Sequence, residues 1–340
     1  MKIKNLHIAM VALLMAGCSE AEIDNGQQQQ GLMPVLFSAG SMDAVTRGST
    51  PYMRKDSRFV CSMFFHAGAN DTDETEYYSE KNKLTADVNM STAQLKIDDQ
   101  YGNAAFLNNT FYWQNRKNHV FLALADNNNL TAEPVFSDNL IAFDLTRGDK
   151  NTISQQPDPI LAYAKSKPAG ATPEANRVNL YFKHQFAQVQ VNIKNSQDGS
   201  VNLDDHTFID NVELLGVAKT GYVPFSITPK GEVDKASSEP ESNDYAFKLF
   251  DATPTAGYLK TYEGIAYGTM QGIRITWHED NTGVEHKAIL KKAVDVELVS
   301  GTKYIYNIEL RRSVIAQVVA EIADWKVDES DYEASGTILN

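Results

Sequence analysis

The sequence predicts an all-β protein, and three observations carry that reading. Apolar residues recur at alternate positions, most cleanly at Ile273, Ile275 and Trp277 and again at Tyr304, Tyr306, Ile308 and Leu310, the period of an antiparallel strand with one face buried. Long polar segments, at 67–83, 165–176, 195–205 and 228–244, separate such stretches. A helical reading is confined to fragments such as 91–96.

Length and composition bound the rest. At 340 residues the chain accommodates two domains, or one large β unit behind a leader. Hydrophobic residues make up 42% and charged residues 22%, with 20 Gly and 11 Pro, which excludes collagenous and wholly disordered classes. The net charge is −13 and the pI about 5.0. Without a basic cluster to release counterions from phosphates, nucleic acid is not a partner.

Taken in order, Lys2, Lys4 and His7 precede an apolar run over 8–17, too short to cross ~30 Å of hydrocarbon, and residues 1–17 read as a signal peptide. Leu14-Met15-Ala16-Gly17-Cys18 resembles a bacterial lipobox, in which the Cys18 thiol receives diacylglycerol. Several acyl chains, at about 0.8 kcal/mol per buried CH₂, anchor a protein stably. Residues 18–31 are acidic and then Gln-rich, a flexible tether. Val35, Phe37 and Ala39 alternate as a first strand, and 32–47 comprise that strand and the loop behind it. Cys61, inside the apolar run 59–65, reads as a small buried hydrophobe. The nearly continuous apolar run 120–125 ends at Asp126-Asn127-Asn128-Asn129 and reads as a short strand. Between 180 and 193 the apolar set shifts from even positions (Leu180, Phe182, Phe186) to odd ones (Ala187, Val189, Val191, Ile193). A period of two cannot change phase without an extra residue, which predicts a bulge or strand break near Phe186 and Ala187. The polar stretch from Ser196 to Ser200 is the expected boundary between a first unit, 48–196, and a second, 197–325, with 326–340 as a tail.

The sequence has no Gly-x-Ser-x-Gly, P-loop, dinucleotide-binding glycine pattern or His-Glu-x-x-His, which weighs against an enzyme. His278, Glu279 and His286 could meet across a hairpin at 281–283 but lack a further strong zinc ligand, so they read as exposed hairpin residues. Asp71, Asp73 and Thr75 mimic the opening of a calcium loop, yet Glu76 stands where glycine is needed and Asn82 where a bidentate glutamate is needed. His184, between Phe182 and Phe186, reads as a hydrogen-bonded core histidine, and Trp113, beside Phe111 and Tyr112, as core rather than a sugar-stacking platform. Neither a metal nor a cofactor is expected.

Set in order, these residues resemble the fimbrillin family, the type V pilins of Gram-negative oral and gut anaerobes. The carriers are the lipobox ending at Cys18; Val35 to Ala39 followed by Ala44-Val45-Thr46-Arg47-Gly48; Phe111-Tyr112-Trp113 leading to Val120 to Leu124; Asp158-Pro159-Ile160-Leu161-Ala162-Tyr163-Ala164; Leu180 to Ala187; Ser300-Gly301-Thr302-Lys303-Tyr304; and Ile322-Ala323-Asp324-Trp325. The resemblance implies two tandem transthyretin-like Greek-key β-sandwich domains and export as an outer-membrane lipoprotein. It also implies cleavage between Arg47 and Gly48 by an arginine-specific protease, with Arg54 and Arg58 as nearby alternatives. Loss of the first strand (Val35, Phe37, Ala39) would open a groove for a donor strand from another fimbrial subunit. The acidic tail offers Tyr332, Ala334, Ile338 and Leu339 for that role. A tip, anchor or accessory subunit, or a monomeric surface lipoprotein binding a host glycan or protein receptor, remains the alternative to a shaft subunit.

Overall fold

The alternating stretches become strands in the computed structural model, which describes residues 32–41, 53–66, 78–79, 83–84, 88–132, 140–146, 149–195, 209–224, 237–238, 246–278, 285–291, 294–311, 314–324, 332–333 and 335–338. The first ten strands are β1 (Phe37–Ser41), β2 (Arg58–His66), β3 (Tyr78–Ser79), β4 (Lys83–Leu84), β5 (Val88–Ile97), β6 (Asn103–Phe106), β7 (His119–Asp126), β8 (Leu140–Asp144), β9 (Pro159–Ser166) and β10 (Val178–His184). Among the described residues the only helical segments are three-residue 3-10 turns, so the protein is all-β.

Seven of these strands close a barrel in the order β1-β10-β9-β7-β2-β5-β6. β1 makes the closure: it runs parallel to β10, Phe37 opposite Val178 and Ser41 opposite Phe182, and antiparallel to β6, Phe37 opposite Ala104. Where two open sheets are expected in this half, one strand hydrogen-bonds to both free edges, and closure removes the edges.

The apolar run of β7 is explained by burial on both faces. Phe121, Ala123 and Ala125 face the barrel interior with Phe59, Cys61 and Met63 of β2. Val120, Leu122 and Leu124 join Val60 and Phe64 in a second cluster with Phe143, Leu145, Val223 and Ile265. That outer layer includes β8. Residues 91–96, read as a helical fragment, lie instead within β5, where Ala93, Leu95 and Ile97 alternate into the barrel. Two-residue alternation against a closed sheet overrides local helix preference.

The remaining strands are β11 (Ala187–Asn195), β12 (Ile209–Val217), β13 (Thr220–Pro224), β14 (Ser237–Ser238), β15 (Ala246–Lys248), β16 (Phe250–Ala252), β17 (Lys260–Ala266), β18 (Gly268–His278), β19 (Glu285–Lys291), β20 (Val296–Glu297), β21 (Thr302–Arg311), β22 (Val314–Asp324), β23 (Tyr332–Glu333) and β24 (Ser335–Ile338). One sheet runs β16-β17-β11-β21-β22-β23; the other runs β15-β12-β18-β19-β24, with β20 beside β18. Between them pack Val189, Val191, Ile193, Tyr304, Tyr306 and Ile308 from the first sheet, and Val212, Leu214, Ile273, Ile275 and Trp277 from the second. Gly216, at φ +78°, sits in the register shift between Leu215 and Val217, a backbone conformation that a side chain would strain.

The phase change predicted near Phe186 is a break between strands of different sheets. β10 ends at His184 in the barrel; β11 starts at Ala187 between β17 and β21. The sequence reading places β11 in the first unit, ahead of a junction at 196/197, but its hydrogen bonds put it in the second sheet system. A strand's membership follows its partners, and those lie far along the chain. The two halves are also stitched together: β8 pairs antiparallel with β13, Phe143 opposite Gly221.

Candidate functional site: the first-strand groove and the carboxy-terminal strands

Val35, Phe37 and Ala39 come together as expected, facing the barrel core with at most 1% exposure. Phe37 meets Phe121, Phe106 and Phe111 edge-on at centroid distances of 5.3, 5.9 and 6.2 Å, the geometry that aromatic quadrupoles favour. The backbone is held along its length. Val35 N donates to Phe111 O (2.9 Å), Ala39 N to Gly102 O (2.8 Å), Val178 N to Leu36 O (2.8 Å), Trp113 N to Met33 O (3.0 Å) and Met53 N to Ala39 O (3.1 Å). Arg177 straps the strand from outside, Nη1 donating to Phe37 O (3.1 Å) and to Asn103 Oδ1 (2.7 Å). Arg177 carries no local sequence signal for this role, since its partner is 140 positions away.

Cys18, Arg47, Gly48, Ala334 and Leu339 lie outside the described residues, as do Asp71, Asp73, Thr75, Glu76, Asn82 and Glu279. Of the alternative arginines, Arg54 is exposed in the connection ahead of β2. Arg58 opens β2 opposite Lys96, a paired backbone that does not enter a protease cleft without unfolding. Tyr332 and Ile338 lie on paired strands. β23 places Tyr332 opposite Ala320 at the edge of one sheet, and β24 places Ile338 opposite Ala288 at the edge of the other. The tail therefore caps both sheets of its own sandwich.

Titratable groups in the barrel are buried or hydrogen-bonded. Burial pushes the Cys61 thiol far above its ordinary range, so the thiolate is not formed. Desolvation lowers His119 to about 4; its ring accepts from Gln114 N at 3.3 Å and lies edge-on to Trp113 at 5.0 Å. Trp113 is core, 2% exposed. His184 Nδ1 bonds Asp158 Oδ1 at 2.8 Å, and Asp158 N donates to Asp126 Oδ1 at 2.9 Å. Burial, and secondarily the neighbouring Asp158, raise the Asp126 carboxyl. His278 Nδ1 lies 2.9 Å from Asp210 Oδ2, and His286 stacks on Trp277 at 5.6 Å. Among the described residues no three His, Cys, Asp or Glu side chains are grouped to hold a metal ion, and no helix is long and apolar enough to cross a membrane.

A family model described as fimbrillin-like matches residues 59–325, which takes in the barrel from β2 onward and the whole sandwich through β22. The chain belongs to the fimbrillin-like family. No curated protein matches its sequence. Among solved structures, a Bacteroides uniformis protein assigned to cell adhesion is similar at 14% identity, covering 87% of this chain and 100% of that one, with a TM-score of 0.54. A Bacteroides ovatus protein of the same description shares 17% identity over 88% of this chain and 100% of that one, at 0.53. The tip fimbrial protein Mfa3 of Porphyromonas gingivalis, with a carboxy-terminal truncation, has 12% identity over 86% and 99%, at 0.44. The likeness to the two Bacteroides proteins extends to the fold. Family membership makes this fimbrillin-like chain a fimbrial subunit of a surface appendage, with other fimbrial subunits as its partners.

Proposed function

We propose that the chain is a structural subunit of a surface fimbria, exported as an outer-membrane lipoprotein anchored through Cys18, cut between Arg47 and Gly48 by an arginine-specific protease, and polymerised by donor-strand exchange to serve adhesion. In this reading its two units are transthyretin-like Greek-key domains, the first closed by β1. The observation that carries the reading is the seating of residues 33–41. They complete the barrel core and hydrogen-bond both flanking edges, yet they precede the cut and leave with the leader. A barrel without them has an apolar groove and two unpaired edges, which demand a strand. Four apolar side chains entering it, at about 1.5 to 3 kcal/mol each, hold a lasting joint. Donor and acceptor surfaces differ, so the contact is heterologous and propagates as a fibre. The donor is the tail bearing Tyr332, Ala334, Ile338 and Leu339, which first has to leave its own sheet edges.

That pairing in cis favours a second reading, a tip, anchor or accessory subunit, or a non-polymerising lipoprotein, whose tail never leaves home. The test treats purified precursor with an arginine-specific protease. A new amino terminus at Gly48 and a ladder of oligomers are expected from the wild type, and neither from Arg47→Ala. Cutting at Gly48 without oligomers supports the second reading, and a chain never cut in this loop overturns both the processing step and the exchange.

A further inference from the structure

A cleft of about 450 Å³ opens on the barrel beside the first-strand groove, lined by Ser91 and Thr92 of β5, Met63 of β2, and Asn109, Thr110, Phe111, Tyr112 and Gln114. That volume falls within the ~300 to 1,000 Å³ of small-molecule sites, but its lining is unlike the usual apolar pocket. Ser, Thr, Asn and Gln side chains each offer both a donor and an acceptor, as sugar hydroxyls do, and no lining residue carries a charge. The alternation in Phe111-Tyr112-Trp113 sends Phe111 and Trp113 into the core, 2% exposed each, and leaves Tyr112 half-buried at the cleft. Phenolic rings suit the apolar faces of a pyranose as well as its hydroxyls.

The wall is held in place before any ligand arrives. Asn109 adopts φ +41°, one of two non-glycine residues at positive φ among those described, and its Nδ2 donates to Thr92 O at 3.2 Å. Asn108 Oδ1 accepts from Gln94 N at 2.7 Å. Gln114 is fixed twice, its N–H on His119 and its Nε2 on Tyr112 O at 3.0 Å. A strained residue secured by its neighbours is the form that pre-organised sites take. From these features we infer that the cleft binds a neutral saccharide, Tyr112 stacking on the ring and Asn109, Thr110, Ser91 and Gln114 exchanging hydrogen bonds with its hydroxyls. This deepens the adhesion part of the proposed function and is independent of strand exchange.

The experiment uses the uncut full chain, so a failure to polymerise leaves its outcome unaffected. Neutral probes (methyl mannoside, methyl galactoside, lactose and N-acetyllactosamine) and the charged sialyllactose are titrated by NMR chemical-shift perturbation, on wild type, Tyr112→Ala, Asn109→Gly and a control, Tyr181→Ala, altered at an exposed tyrosine of β10. Glycine tolerates the positive φ at 109, so that variant removes the amide without adding strain. Binding of at least one neutral probe is expected, weakened roughly tenfold or more in both cleft variants, unchanged in the control, with equal melting temperatures throughout. A tenfold loss is what about 1.4 kcal/mol of lost contact delivers. Absence of binding by every neutral probe, binding that survives both cleft variants, or preference for sialyllactose would overturn the inference.

Discussion

Replacing Phe37 with alanine tests whether the first strand carries the barrel core. Phe37 is fully buried and touches three aromatic rings edge-on. Phe→Ala in such a site costs about 3 to 5 kcal/mol through lost transfer energy and the cavity left behind, out of the roughly 5 to 15 kcal/mol that stabilises a domain. In urea denaturation of the uncut chain, followed by tryptophan fluorescence to which Trp113, packed 5.6 Å from Phe121 in the same cluster, contributes, the midpoint should fall accordingly, with an unchanged slope. The loss should vanish once residues 1–47 have been cut away, because the substituted side chain leaves with them. A weaker strand also competes less well for its own groove. Since every ~1.4 kcal/mol is a factor of ten, a loss of about 4 kcal/mol removes most of the millimolar-scale advantage of a tethered strand. Phe37→Ala precursor should therefore form oligomers slowly without protease. A destabilisation below about 1 kcal/mol in the uncut chain would refute the argument.

Three further expectations follow from the same geometry and from the leader. His119, lowered to about 4 against an ordinary 6.5, contributes stability that is present above pH 6.5 and lost as pH falls towards 4, up to about 3 kcal/mol; His119→Phe should flatten that slope in urea melts at pH 7, 5 and 4, and parallel curves would contradict it. Cys18→Ala should abolish incorporation of labelled palmitate, and normal labelling would end the lipobox reading. Deleting residues 332–340 removes β23 and β24, edge strands that pair with β22 and β19; circular dichroism should stay β-like while protease-cut material builds shorter ladders or none, and normal ladders would place the donor strand elsewhere.

Much of this protein is decided locally. The alternation at 273–277 and 304–310 specifies half-buried strands because successive side chains point to opposite faces, and these became β18 and β21. The phase slip at Phe186 marked the break between β10 and β11 for the same reason. Val35, Phe37 and Ala39 were legible as inward-facing, and His184 as hydrogen-bonded, from spacing alone, although His184 is only half-buried. Long-range pairing was not legible. Whether β1 closes a barrel depends on free edges at β6 and β10, whose partners Ala104 and Val178 carry nothing in their local sequence that names residue 37. β11 joined the second sheet through β17 and β21 by the same long-range choice, and residues 91–96 became strand because β2 and β6 flank them. Tyr112 turned to a cleft only because Phe111 and Trp113 were drawn into the core behind Met33 and Val35. Period and composition act between neighbours in sequence and settle which face of a strand is apolar. Sheet membership, closure and cleft geometry depend on which distant edges meet, and only the folded chain brings those edges together.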